Sequence, residues 1–179
     1  NSGNTGSFSG SSGTINNYGT VQIYGGASFG TVNNKYNTAK SKGSVFYSGV
    51  DIFNPATTSI TTFNNEASCQ LICPDILQVQ TVVNNGFVEA GTLSCTSSFT
   101  NYQYGQAKLR SATCSGGITN DGIIQCTGSF RSGAVNNTKN IRLDSGCSIT
   151  GKLTNSDSGN VQVTGNDANL KDVDNSGNI

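Results

Sequence analysis

Ten carboxylates, ten basic side chains, six thiols and no histidine are what 179 residues offer for proton transfer or metal ligation. Without an imidazole, Ser-His-Asp and Cys-His arrangements are excluded, and the usual proton shuttle at neutral pH is missing. The acids are scattered along the chain. Only Asp172 and Asp174, two apart and therefore on one side of a strand, come close to the paired carboxylates of glycoside hydrolysis. With Asp157 they could hold a calcium ion, although a solvated terminal edge is the simpler expectation. No phosphate-binding glycine loop is followed by a helix. The reading is therefore non-enzymatic, with no catalytic residue, no metal and no cofactor.

The six thiols read as disulfides of an oxidising compartment, because an even count in a chain of small polar residues fits that use and zinc-type spacing is missing. Cys95 and Cys114 lie 19 positions apart and Cys126 and Cys147 lie 21 apart, so each pair is expected to bridge successive layers of a repeat. Cys69 and Cys73 are left for each other.

That repeat is the element that must position everything else. An apolar residue, one residue and an asparagine recur nine times, usually followed by a short apolar strand. Asn16, Asn33, Asn64, Asn84, Asn101, Asn120, Asn136, Asn155 and Asn175 are taken as its markers, at steps of 17, 31, 20, 17, 19, 16, 19 and 20 residues. A fixed period in this range signals coils stacked along one axis. Val21-Gln22-Ile23, Ile141-Arg142-Leu143 and Val161-Gln162-Val163 each alternate with period two, and glycine-rich bends follow them. No helical periodicity competes. Only 34% of the chain is hydrophobic, which suits a thin core inside stacked coils better than a globule. The expected fold is all-β: one parallel β-helix (β-solenoid) domain over residues 1–179, with about nine coils of roughly 16–20 residues.

The long step between Asn33 and Asn64 implies an insertion or irregular coil at about 35–60. Insertions of this kind often form the binding side, so Lys35, Tyr36, Lys40, Lys42, Tyr47 and Phe53 are candidate ligand contacts; an irregular rung is the plain alternative. Tyr18, Tyr24, Tyr36, Tyr47, Tyr102 and Tyr104 could stack on sugar rings, or simply cover coil edges. Asn136-Asn137-Thr138 is a glycosylation acceptor, marking Asn136. Thr57-Thr58-Ser59-Ile60-Thr61-Thr62 is the one dense threonine cluster, a minor pointer to ice binding. A net charge of zero gives no footprint for nucleic acid or an anionic membrane, and no apolar stretch would insert in a bilayer. Both ends, Asn1-Ser2-Gly3-Asn4 and Asn175-Ser176-Gly177-Asn178, look like open coil edges, which are templates for another chain.

The pattern apolar-x-Asn-x-Gly-x-apolar-x-apolar, seen in Ile15 to Ile23 and Ile118 to Ile124 and begun in Val173 to Ile179, resembles the haemagglutinin-type repeats of large secreted β-helical adhesins. That resemblance implies a right-handed parallel β-helix acting in adhesion or as an extracellular stalk. The expected function is a non-catalytic structural or adhesive solenoid, secreted or at the cell surface. It would be a fibre subunit or a segment of a larger adhesin, with itself, other extracellular proteins or glycans as partners. The alternative is a carbohydrate-binding or polysaccharide-acting solenoid working through the 35–60 insertion.

Overall fold

The computed structural model describes residues 8–48 and 56–179. Within them the chain is a parallel β-solenoid of about eight turns, with no α-helix and a single short 3-10 turn at Thr38–Lys40. Each turn has three faces. After an asparagine corner the chain enters the first face, where residues 20–23, 45–48, 70–73, 87–90, 106–109, 123–126, 140–143 and 160–163 stack in parallel register. The second face carries 27–29, 58–60, 77–79, 93–95, 112–114, 130–132, 147–149 and 168–170. The third ends at the next asparagine.

Alternation decides what points inward. On the third face Val32, Phe63, Val82, Phe99, Ile118, Val135 and Leu153 form one buried file, each opposite the next in register. Phe46, Leu71, Val88, Ala107, Ile124 and Ile141 do the same on the first. Phe46 also meets Phe29 and Phe63 edge-on, at 5.8 and 6.4 Å between ring centroids. A few such files, stacked along the axis and drawn from all three faces, make the core, which explains how so little apolar content suffices.

Two residues beyond each buried apolar side chain of the third face comes an asparagine, which period-two alternation also turns inward. Asn17, Asn34, Asn65, Asn84, Asn101, Asn120, Asn137, Asn155 and Asn175 stack as a ladder. Each Nδ2 up to that of Asn155 donates to the Oδ1 of the asparagine one coil on, at 2.7–3.1 Å. The same amide holds the corner together. Asn101 Nδ2 donates to the Gly105 and Ile123 carbonyls, and Asn120 Oδ1 accepts from Gly122 N. Corner glycines are required by proximity, since a Cβ on Gly122 would stand 2.2 Å from the Gly105 carbonyl oxygen.

This corrects four of the expected markers. Asn16, Asn33, Asn64 and Asn136 immediately follow the inward apolar residue and therefore point out; their neighbours Asn17, Asn34, Asn65 and Asn137 carry the ladder. Asn16, Asn33 and Asn64 instead form a short outer file, with hydrogen bonds of 2.9 and 2.8 Å running in the opposite direction.

The extra residues between Asn34 and Asn65 fall in two places, a corner loop at 35–44 and a second stretch whose residues 49–55 lie outside the described ones. Val45–Ser48 between them is a regular rung of the first face. The candidate Phe53 and the opening Asn1-Ser2-Gly3-Asn4 also lie outside the described residues.

Replacing Asn101 by Leu removes at once its hydrogen bonds with Asn84 Nδ2, Asn120 Oδ1 and the Gly105 and Ile123 carbonyls. At about 0.5–1.5 kcal/mol for each buried hydrogen bond lost, the variant is expected to lose about 3 kcal/mol. Asn64→Ala, in the outer file, should lose under about 1 kcal/mol. Urea unfolding followed by circular dichroism checks the contrast.

Candidate functional site

The residues expected to bind do not converge. Lys35 Nζ sits 5.7 Å above the Tyr18 ring, and the Tyr36 amide donates to Glu66 Oε2 at 2.8 Å. Asn37 Oδ1 caps the 3-10 turn by accepting from Lys40 N, while Asn37 Nδ2 reaches the Tyr18 carbonyl. These contacts fold the 35–44 loop against the corners on either side of it and leave Lys40 and Lys42 in solvent. Tyr47 belongs to the regular first face, between Gln22 and Ile72 in register.

The disulfide expectations fail for separate geometric reasons, and all six cysteines are free and buried. Cys126 closes a first-face rung, opposite Leu109 and Leu143, whereas Cys147 opens a second-face rung, opposite Phe130 and Ala168. Being one period apart along the chain does not place them on one face. Cys69 and Cys73 are separated by four residues of extended chain, about 13 Å, about twice the reach of a disulfide. Cys95 and Cys114 do stand opposite each other on adjacent coils of the second face, as the spacing suggests. They meet through a hydrogen bond between thiols. That bond, with burial, pushes the Cys114 thiol far above its ordinary range. The bond from Cys114 draws Cys95 the other way. However, the Ser98 and Gln80 carbonyls at 3.1 and 3.3 Å from Cys95 Sγ favour its protonated form, so the rise at Cys114 is the firmer of the two. Burial likewise raises Cys73, Cys126 and Cys147. They are small core residues.

Among the described residues no cluster of three or more Cys, Asp or Glu gathers to hold a metal. Asp174 pairs with Lys152 at 2.9 Å, and Asp157 is an exposed corner residue. Asn136 is exposed on the third face, and Thr138 of its acceptor sequence donates to Asp121 Oδ1. No helix of the described residues is long and apolar enough to cross a membrane. Of the Thr57–Thr62 cluster, Thr58 is buried and donates to Ser48 Oγ, while Thr62 joins an outward file of Thr14, Thr31, Thr62 and Thr81 whose members come from four different coils and share no local motif.

A groove with both aromatic and polar walls lies at the corners. Residues 85–86 make a short corner between two longer ones, 66–69 and 102–105, each closed by a turn from the Glu66 or Tyr102 carbonyl. The longer corners stand proud on either side, and Asn85 and Gly86 become the floor of a groove of about 560 Å³. Phe87 leads out of it onto the first face, flanked in register by Gln70 on one coil and Gln106 on the other. Tyr104 and Ser68 stand on its walls. Ser68 holds a left-handed backbone at φ 65°, one of two non-glycine residues among those described to do so. Corner length, readable from the distance between each ladder asparagine and the next strand, is the signal that would have located this groove.

No family model, curated protein or solved structure matches this chain.

Two measurements test the cysteine assignment. Thiol titration in denaturant is expected to find six free thiols per chain, and the native protein far fewer reactive ones. Groups whose folded pKa is raised stabilise fully below the unfolded value, here 9.0, and that stabilisation is lost as pH rises. Stability in reductant should therefore be level through neutral pH and fall above about pH 9, and Cys114→Ala should flatten the fall.

Proposed function

We propose that this chain is a non-catalytic structural or adhesive solenoid, working outside the cell and extending through its coil ends. The observation that carries the reading is the polarity of the asparagine ladder at its last rungs. Asn155 Nδ2 donates onward to Asn175 Oδ1, but Asn175 Nδ2 has only the Gly177 carbonyl, at 3.0 Å. At the other end, among the described residues, Asn17 Oδ1 accepts only from Gly19 N, where each internal rung receives its neighbour's amide. A donor at one end and an acceptor at the other match head to tail. The apolar file ends equally open: Val173 is 43% exposed and Ile179 56%, while Leu153, one coil inward, is fully buried. Such an edge is a template for a further coil. The extracellular setting and the adhesive role rest on the resemblance to haemagglutinin-type repeats, since the free cysteines take away the disulfide argument.

Negative-stain microscopy and light scattering across a concentration series provide the test. Head-to-tail rods longer than the roughly 40 Å of one chain are expected, at about 4.8 Å per coil. Val173→Lys should shorten them to single chains without altering the circular dichroism spectrum. Particles of one fixed length at every concentration would count against extension through the ends.

A further inference from the structure

The corner groove carries an inference independent of how the coil ends associate: the geometry points to a binding subsite for a neutral saccharide between Tyr104 and Phe87.

Three observations converge there. The aromatic pair comes first: Tyr104 is 66% exposed, and Phe87, only half-buried, projects outward from the first face beside it. Exposed aromatic surface of this kind offers an apolar face to the C–H face of a pyranose. The carboxamides come second. Gln70 and Gln106 sit one coil to either side of Phe87, and among the described residues neither side chain makes a hydrogen bond. A carboxamide both donates and accepts, as a sugar hydroxyl does, so an aromatic face between two free amides is matched to a ring bearing hydroxyls on its edge. The third is Asn85, on the floor, whose Oδ1 is the one buried side-chain polar atom among the described residues without a hydrogen-bond partner. Buried acceptors are nearly always satisfied, and a ligand hydroxyl is a donor that would satisfy this one.

The lining also says what the ligand is not. None of its side chains is charged at neutral pH, and the nearest ion pair on the first face, Glu89 with Lys108, has its charges already opposed at 3.9 Å. Phosphate and carboxylate ligands are held above all by cationic side chains, which this groove does not present. A volume of about 560 Å³ falls in the range of small-ligand sites.

Affinity electrophoresis under native conditions tests the assignment, with galactomannan, xyloglucan, mixed-linkage β-glucan or dextran in the gel and polygalacturonate as the charged comparison. At least one neutral polymer is expected to retard the protein. Phe87→Ala should weaken that binding about tenfold or more, the contribution of an aromatic stack, while Tyr24→Ala, an exposed tyrosine elsewhere, should leave it unchanged. Should Phe87→Ala unfold, Phe87→Leu keeps most of the volume without the ring face and is expected to lose binding equally. Retardation by none of the four neutral polymers, retardation by polygalacturonate alone, or retardation that survives Phe87→Leu would each overturn the proposal. Rod length of the Phe87 variants by microscopy should match the parent, which separates this site from association through the ends.

Discussion

The amide ladder imposes a single register on the whole molecule. A buried carboxamide must find partners for both its donors and its oxygen, and here they come from the coil below, the coil above and the adjoining corner. A coil that slipped by one residue would turn its asparagine to solvent, and with it the apolar residue two places before. Polar and apolar files are therefore locked to each other, and the register shifts that occur fall between the faces, not within the ladder.

With the register fixed, variation is confined to corners and outward positions. The corner after Asn84 holds two residues and the corners after Asn65 and Asn101 hold four, yet the strands they join remain opposite one another. Even the 35–44 loop returns the chain to an ordinary rung at Val45. Relief on the surface comes from corner length, and surface chemistry from every second residue. This division lets one thin core carry an outer file of threonines on one face and a groove with two aromatics at its rim.

Fold class was legible because its signals are local: period-two alternation in Val21-Gln22-Ile23, asparagine at a fixed offset and glycine at the corners. The choice between neighbouring asparagines was legible too, but only by applying alternation to the pair, since Val32 inward forces Asn33 out and Asn34 in. Cysteine pairing was not, because separation along the chain reports the coil and not the face; Cys126 and Cys147 differ by about one period and sit on different faces. The groove was missed for a related reason. It arises from unequal corners on three successive coils, a relation that appears only once the coils are laid one upon another.

Every backbone and amide bond between coils runs along the long axis, so a pull on the two ends loads those bonds in line. The outermost layer meets the load with no more neighbours than a single coil provides, and it is released before the next is disturbed. Each layer freed exchanges about 4.8 Å of rod for roughly 60 Å of extended chain, at about 3.4 Å for each of about 18 residues. A rod of this construction yields in steps and lengthens more than tenfold before its covalent chain is taut.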